Sequence, residues 1–310
     1  MRIGFLGKGG SGKTTITAAF ATWLRLNESR VLAIDGDVNC HLQEALGINT
    51  EPPQLGSCYQ EIAEYVRGER ADLGDRPMLS TTPPSARSRF ITCASGDPFL
   101  ANYSVSSGSL SFMRVGKFSE SDVGANCYHT KLHSLCVVLN HLKDTDSDWV
   151  VVDATAGVDT LSTSLVVAYD LNVFVVEPTR KSISVYLDYI ATDRDSESST
   201  VVIVNKTLAD TDEEFVRNLI PGASIIVGSL PLSRYVRDSE QGASDSFYKF
   251  VNENEVTWKK LLEECKNRRR GWGAFQSRLH DIHKKNCDWW YNDYYQQTLH
   301  TDLDLPFSSD

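Results

Sequence analysis

A glycine-rich turn between a short apolar run and an amphipathic segment constrains the fold of this chain more than any other feature. Residues 3–6 are apolar, residues 7–15 read Gly-Lys-Gly-Gly-Ser-Gly-Lys-Thr-Thr, and a helical pattern covers residues 14–26. This order matches G-x-x-x-x-G-K-[ST] in the strand-to-helix context that the motif requires. The glycines let backbone N–H groups surround a phosphate chain, and the helix points the positive end of its dipole at the anion. The sequence therefore predicts a strand, a phosphate-binding loop and a helix in succession.

The side chains of this loop predict a nucleotide site with magnesium. Lys13 is expected to reach the β- and γ-phosphates, and Thr14 is placed to coordinate Mg²⁺. The other predicted nucleotide contacts in this segment are Gly9, Gly10, Ser11, Gly12 and Thr15.

Apolar, β-branched runs of strand length recur along the chain, with helical patterns between them. Such runs predict strands that are buried on both faces of a parallel sheet. The predicted strands cover residues 3–6, 31–34, 150–152, 173–176, 201–204 and 225–227, and the predicted helices cover residues 14–26, 130–142, 160–168, 182–190 and 213–219. We therefore predict an α/β fold in which a doubly wound, mainly parallel sheet is flanked by helices.

Composition bounds what surrounds this sheet. The 310 residues are 41% hydrophobic and 23% charged, which excludes disorder of the whole chain. The sequence contains neither a long apolar run nor a signal-peptide core, and its seven cysteines lack regular spacing, so we predict a cytoplasmic protein with free thiols. We assign residues 1–245 to the P-loop domain, with an irregular insertion over about 50–123, and residues 246–310 to a helical, aromatic-rich C-terminal extension.

The net charge of −10 conceals a basic segment in that extension. Residues 259–285 contain nine Lys and Arg against three Asp and Glu. Basic helices with interleaved aromatic residues can contact anionic lipid or nucleic acid. The alternative, which we favour, is that the aromatic side chains pack on the body of the protein or on a partner.

The second lysine of the loop, Lys8, makes residues 7–15 resemble the deviant Walker A loop of the MinD/ParA class of ATPases. This resemblance implies a P-loop NTPase fold, ATP and ADP as nucleotides, and hydrolysis that depends on Mg²⁺. It also implies an ATP-dependent homodimer, in which Lys8 crosses the interface to the phosphates of the partner subunit. An added cation of this kind offsets charge that develops on the transferred phosphoryl group.

Residues 33–42 resemble the first switch of the same class. The resemblance implies that Asp37 orients or deprotonates the attacking water. It also implies that Asp35 lies among the groups that surround the metal's ligands. Val38 stands where proline is usual in the family.

Two later segments resemble the rest of the family's nucleotide site. Residues 150–157 resemble the second switch, in which Asp153 holds Mg²⁺ through water and Gly157 presents its N–H to the γ-phosphate. Residues 202–206 resemble the strand end that reads adenine, with Asn205 and Lys206 at the base. The loop of residues 228–231 would pack the ring from the other side through Pro231.

Residues 112–118, 124–129 and 175–183 resemble the CooC-type ATPases, which help to insert nickel into carbon monoxide dehydrogenase. In that family a C-x-C pair from each subunit binds a metal at the dimer interface, and here these positions read Cys127-Tyr128-His129. Two copies would supply two thiolates and two imidazoles, a set that suits Zn²⁺ or Ni²⁺.

Two other interpretations of these residues stay open. His129, His133 and Cys136 fall at i, i+4 and i+7 on one face of the predicted helix, and Cys127 immediately precedes it, so one chain could assemble a Cys₂His₂ set by itself. Packing at a subunit interface, without any metal, is the other interpretation.

The sequence thus predicts an ATP-dependent dimeric switch that resembles the CooC-type maturation ATPases and acts on an unidentified client protein. The alternative is a partition or positioning ATPase of the ParA/MinD kind, which binds DNA or membrane reversibly. The Cys127–His129 pair and Glu177-Pro178 favour the first hypothesis, whereas the basic segment favours the second.

Overall fold

A computed structural model describes residues 1–27, 29–122, 124, 128–157, 159–222 and 224–288. The strands are β1 (Arg2–Gly7), β2 (Arg30–Asp35), β3 (Ile91–Thr92), β4 (Val105–Ser107), β5 (Leu110–Arg114), β6 (Leu142–Lys143), β7 (Asp148–Asp153), β8 (Leu171–Val176), β9 (Thr200–Thr207) and β10 (Ile225–Pro231). The helices are α1 (Lys13–Leu26), α2 (Leu42–Ala45), α3 (Tyr59–Arg67), α4 (Pro98–Tyr103), α5 (Tyr128–Asn140), α6 (Leu165–Ala168), α7 (Arg180–Thr192), α8 (Thr211–Arg217), α9 (Arg234–Glu240), α10 (Ser244–Glu253), α11 (Glu255–Asn267) and α12 (Trp272–Cys287).

Eight strands form one sheet in the order β10-β9-β8-β1-β7-β2-β5-β4. Neighbouring strands are parallel except for β4, which is antiparallel to β5, and β3 pairs with β6 outside this sheet. The predicted α/β fold with a mainly parallel sheet is confirmed, and all six predicted strands are present. Because parallel strands end at the same edge, the loops after β1, β2, β7 and β9 meet there.

Register brings two acidic residues together at that edge. Asp35 ends β2 and Asp153 ends β7, and the two residues are directly paired across these strands. Asp153 also lies opposite Phe5 of β1, two residues before the glycine-rich loop. The sheet itself therefore places two carboxyl groups beside the loop.

The helix after the loop is fixed by a cluster that includes the C-terminal helices. In α1, Ile16, Phe20 and Leu24 recur at a spacing of four residues and are fully buried. The ring of Phe20 lies 6.3 Å from the ring of Trp258 in α11. Helices α10 and α11 thus belong to the same hydrophobic core as α1, although nearly all of their residues lie beyond residue 245, the predicted end of the P-loop domain.

The opposite face of the sheet is covered by α3 and α5 through α8. The prediction of one helix over residues 160–168 is only partly correct, because a 3₁₀ turn (Asp159–Ser162) precedes the short α6. The hydroxyl of Thr163 accepts a hydrogen bond from the Leu165 N–H (3.3 Å) between them. Hydroxyl groups compete with helical backbone bonding in this way, so the Ser-Thr-Ser run interrupts the helix.

The insertion of residues 50–123 is more regular than the sequence predicted. It contributes α3, α4 and β3, and its strands β4 and β5 extend the main sheet beyond β2. Leu110, Phe112 and Met113 of β5 are buried, so this part of the insertion completes the core.

The basic segment is docked on the body of the protein as far as it is described, which agrees with the interpretation favoured above. Arg268 donates to the carbonyl of Ser198 (3.2 Å), Arg269 forms an ion pair with Asp146, and Arg270 donates to the carbonyl of Val167 (2.9 Å). In α12, Phe275 and Leu279 pack on Val167. The aromatic residues from Trp289 to Tyr295 lie outside the described residues. Among the described helices, none combines the length and the apolar character that crossing a lipid bilayer requires.

Candidate functional site

The loops at the carboxyl edge of the sheet surround a cavity of about 660 Å³. Many predicted site residues line it: Lys8, Gly9, Gly10, Gly12, Lys13, Thr14, Thr15, Asp37, Asn205, Lys206 and Pro231. The sequence did not reveal the other lining residues: Asn39, His41, Ala156, Leu232, Ser233, Val236, Arg237, Glu240 and Phe250. Five of these nine residues come from the segment between β10 and the end of α9, which carries no recognisable motif.

The shape of the loop depends on glycine at two positions. Gly10 and Gly12 adopt φ values of +84° and +90°, which L-residues rarely adopt. A Cβ atom on Gly12 would also lie 2.2 Å from Nδ2 of Asn205. Between them, Ser11 is fully buried and its N–H donates to the carbonyl of Lys8 (3.0 Å). The loop is therefore a tight turn pressed against the end of β9.

Lys13 lies at the centre of the charged groups. Its Nζ donates to Oδ2 of Asp37 (3.0 Å) and to Oδ1 of Asp153 (2.8 Å), and all three residues are buried. Burial alone lowers the pKa of Lys13, but the attraction of Asp153 and Asp37 outweighs this effect and raises the pKa above its ordinary value. Lys13 therefore carries a positive charge at the base of the cavity.

The first switch loop is held in shape by Asp35. One of its carboxylate oxygens accepts the N–H of Asp37 (3.1 Å), and the other accepts the N–H of Leu42 (2.9 Å). Burial, together with the nearby charge of Asp153, raises the pKa of Asp35 to about 7. This residue thus organises the backbone that presents Asp37.

Asp37 itself is a carboxylate with a lowered pKa. Burial raises its pKa, but Lys13 and the hydrogen bonds from the N–H and Nδ2 of Asn39 (3.0 and 2.9 Å) outweigh this effect. Asp37 is therefore charged at neutral pH and is fixed on both of its oxygens.

Thr14 and Asp153, two of the three residues predicted at the magnesium position, are in direct contact. The hydroxyl of Thr14 donates to Oδ2 of Asp153 (2.6 Å), and burial raises the pKa of Asp153 despite the opposing effect of Lys13. Asp37 and Asp153 place two carboxyl groups beside the single charge of Lys13. Carboxyl and hydroxyl oxygens are donors that Mg²⁺ prefers, so these residues fit that ion.

Gly157 of the second switch lies in a different arrangement from the predicted one. Its N–H donates to the carbonyl of Gly7 (3.0 Å), and Ala156 rather than Gly157 lines the cavity. A contact between this N–H and a γ-phosphate therefore requires the loop after β7 to rearrange.

The end of β9 holds the glycine-rich loop. Asn205 Nδ2 donates to the carbonyl of Ser11 (2.8 Å), and Lys206 Nζ donates to the carbonyl of Gly10 (2.6 Å). Pro231 lines the cavity as predicted, but residues 228–231 form the end of β10 rather than a loop.

Lys8 is the less buried lysine of the same loop. It lines the cavity, and its Nζ donates to the carbonyl of Gly9 (3.3 Å) in a hydrogen bond that is exposed to solvent. The two lysines of the motif therefore differ: Lys13 is buried among carboxylates, whereas Lys8 is half-buried and its hydrogen bond faces solvent.

The second predicted metal position is described only in part. Cys127 lies outside the described residues, and His129 lies in the first turn of α5. Within the described part of the chain, no three His, Cys, Asp or Glu side chains form a group that could hold a metal, so His129, His133 and Cys136 do not form such a group by themselves. Burial raises the pKa of the Cys136 thiol, which hydrogen bonds to Ser164 and Thr163 hold in the core.

Similarity to known proteins covers most of the chain. A family model described as the CobQ/CobB/MinD/ParA nucleotide binding domain matches residues 5–243. The carbon monoxide dehydrogenase accessory protein CooC of Rhodospirillum rubrum is 26% identical over 243 residues, covering 78% of this chain and 87% of that protein. An uncharacterized ATP-binding protein of Methanocaldococcus jannaschii is 26% identical over 245 residues, covering 77% and 88%. A crystal structure of a ParA family ATPase from Chlorobium tepidum TLS has a TM-score of 0.53 at 16% identity, covers 85% of this chain and 96% of that one, and shows a shared fold.

Proposed function

Because the chain belongs to the CobQ/CobB/MinD/ParA nucleotide-binding family, we propose that it is a magnesium-dependent ATPase that works as an ATP-dependent homodimeric switch. The observation that carries this proposal is the meeting of Lys13, Asp37 and Asp153 beneath the glycine-rich loop, at the base of the cavity. A buried cation, a fixed carboxylate and a loop of backbone amides are the groups that phosphoryl transfer needs.

Magnesium would be held at Thr14 and Asp153, where it would neutralise charge on the phosphates. Lys13 contributes a second positive charge to the same phosphates, and it exchanges its bonds to carboxylates for bonds to phosphate oxygens. The amide groups of the loop, which Asn205 holds in place through Ser11, bind the phosphate chain.

Asp37 orients the attacking water. Its lowered pKa makes it a weak base at neutral pH, so it accepts a hydrogen bond from water more readily than it removes a proton. Asn39 fixes one carboxylate oxygen and thereby the direction of the other.

Adenine fits the part of the cavity between β9 and α9. Asn205 uses its Nδ2 on Ser11, so the group with which it can read a base is its Oδ1 acceptor, which suits the amino group of adenine. Pro231, Val236 and Phe250 supply apolar walls for the ring.

Lys8 acts across the dimer interface. Lys8 is half-buried, but the hydrogen bond of its Nζ is exposed to solvent beside the cavity, which supports a contact with the phosphates of a second subunit. ATP binding and dimer formation are then coupled, because the added cation meets the phosphates only in the dimer.

The biological role that we propose is a maturation factor of the CooC type, which acts on an unidentified client protein. The similarity to CooC and the Cys127-Tyr128-His129 segment support this role, with Zn²⁺ or Ni²⁺ shared between two subunits. The partition or positioning alternative depended on the basic segment. The three consecutive arginines of that segment, Arg268 to Arg270, bond to the body of the protein instead.

The two lysines give the test. Lys13→Ala should abolish binding of a fluorescent ATP analogue, whereas Lys8→Ala should bind it normally but lose phosphate release and ATP-dependent dimerisation, measured by light scattering. Circular dichroism of both variants controls for folding. Normal turnover by the Lys8 variant, at concentrations where the wild type dimerises, would contradict the trans assignment.

A further inference from the structure

We propose that Glu177 and Lys206 are positioning residues that set the orientation of Lys8, a role that rests on the proposed function. Neither residue needs to touch the nucleotide for this role. They act on the turn of the loop that carries Lys8.

Lys206 holds this turn directly. Its Nζ donates to the carbonyl of Gly10 (2.6 Å) and lies 2.9 Å from Oε1 of Glu177. The backbone of Lys206 has a φ of +61°, in the left-handed region that a residue with a side chain seldom occupies. The end of β9 therefore turns sharply at the residue whose ammonium reaches the loop.

The bond to Gly10 completes a restraint on both sides of one peptide group. The carbonyl of Gly10 and the N–H of Ser11 belong to the same planar unit. Lys206 binds the carbonyl, and the N–H donates to the carbonyl of Lys8 (3.0 Å). This peptide cannot rotate without breaking one of the two bonds, so the turn from Lys8 to Ser11 is fixed and Lys8 is held at the mouth of the cavity.

Glu177 fixes the direction of the Lys206 side chain. The N–H of Glu177 donates to the hydroxyl of Ser182 (2.9 Å), and its carbonyl accepts the N–H of Thr179 (2.7 Å). Its backbone is thus tied to the first turn of α7. The side chains of Lys206 and Glu177 are 38% and 24% exposed, so solvent screens the pair and its contribution is to geometry more than to stability.

The neighbouring Asn205 has a different task. It holds the next carbonyl, that of Ser11, which shares a peptide group with the N–H of Gly12. Asn205 therefore acts on an amide at the start of α1, where phosphate binds, whereas Lys206 acts on the turn that presents Lys8. Loss of Lys206 should impair hydrolysis more than nucleotide binding.

The test compares Lys206→Met and Glu177→Gln with Lys8→Ala. Lys206→Met should lower kcat about tenfold and reduce ATP-dependent dimerisation, and the fold-loss in kcat should exceed its fold-loss of affinity for a fluorescent ADP analogue. Glu177→Gln should act in the same direction with a smaller effect, and Lys206→Arg should restore most of the rate. Arg217→Met is the control, since it removes an exposed ion pair with Glu213 (2.8 Å) on α8.

The double variant Lys8→Ala/Lys206→Met separates this proposal from a general loss of structure. If Lys206 acts through Lys8, the double variant should hydrolyse ATP no more slowly than Lys8→Ala alone. Wild-type kcat in Lys206→Met, or multiplied losses in the double variant, would overturn the proposal. Normal hydrolysis by Lys8→Ala would instead contradict the proposal that Lys8 acts across the dimer interface. An impaired Lys8→Ala together with a normal Lys206→Met would overturn the positioning role alone.

Discussion

Replacing Lys13 with methionine should destabilise the protein in the absence of nucleotide and magnesium, in a manner that depends on pH. The ammonium lies 3.0 Å from Asp37 and 2.8 Å from Asp153. At an effective dielectric constant of about 20, each contact is worth roughly 5–6 kcal/mol before desolvation is subtracted. Removing one partner of a buried ion pair typically costs about 3–5 kcal/mol, because the remaining charge stays buried.

The pH dependence follows from the carboxyl groups. Lys13 helps to lower the pKa of Asp37, so this stabilisation is present above the unfolded pKa of about 4 and is lost as the pH falls through the folded pKa. Asp35 has a folded pKa raised to about 7, so its burial costs stability increasingly as the pH rises from about 4 to 7. Without Lys13 its positive charge no longer offsets the repulsion among these carboxyl groups. The gap between wild type and variant should therefore be largest near pH 7.5 and smaller at pH 5.

Urea unfolding followed by tryptophan fluorescence at these two pH values is the assay. Lys8→Met is the matched control, since Lys8 is a half-buried lysine of the same loop whose hydrogen bond is exposed to solvent. Its loss should change the free energy of unfolding by less than about 0.5 kcal/mol. The free energy of unfolding of Lys13→Met at pH 7.5 should be lower than that of the wild type by at least ~3 kcal/mol. A loss of less than ~1 kcal/mol, or a difference that is larger at pH 5 than at pH 7.5, would refute this account of Lys13 and its two carboxyl partners.

Three other outcomes are expected. Asp37→Ala should still bind MgATP, hydrolyse it about 10²-fold or more slowly and accumulate as the dimer in light scattering, because the substitution removes the water-orienting carboxylate but no group that binds phosphate. A protein that stays monomeric with ATP would contradict this expectation. If Cys127 and His129 of two subunits bind a metal, the purified dimer should carry about one Zn²⁺ or Ni²⁺ per two chains, and Cys127→Ser should abolish it; metal content near zero in the wild type would leave packing as the explanation. Trp258→Ala should cost about 3–5 kcal/mol in urea unfolding, whereas the half-exposed Tyr248→Ala should cost less than about 1 kcal/mol, and equal effects would contradict the assignment of α11 to the core.

The strands that the sequence predicted share one property. Each is a short run of mainly apolar residues, and all of them except the edge strand β10, where Ile225 is 38% exposed, are buried on both faces. Strand β5 was not predicted, because Leu-Ser-Phe-Met-Arg mixes polar and apolar residues next to a Ser/Gly-rich stretch. Its buried arginine, Arg114, forms an ion pair with Glu51 (2.7 Å). A local sequence pattern cannot predict this partner, because it lies 63 positions away in the chain.

The glycine-rich loop could be predicted from the sequence, whereas the wall of the cavity beside α9 could not. Residues 7–15 encode their function in a contiguous motif, because backbone amides must follow one another around the phosphates. The wall formed by Val236 and Phe250 depends on how α9 and α10 pack, which is a property of the whole fold. The hydrogen bonds of Asn205 and Lys206 to the loop were likewise missed, because the resemblance pointed only to the base.

The shared core of α1, α10 and α11 determines how far the protein can be shortened without loss of its fold. The family match ends at residue 243, yet the ring of Phe20 beneath the phosphate-binding loop rests on Trp258. A protein shortened at the end of the match would expose an apolar face of α1 to water and would leave the nucleotide site without its backing. The family match and the cooperatively folded unit therefore end at different residues in this chain. Helices beyond the match complete the hydrophobic core on which the helix after the glycine-rich loop packs.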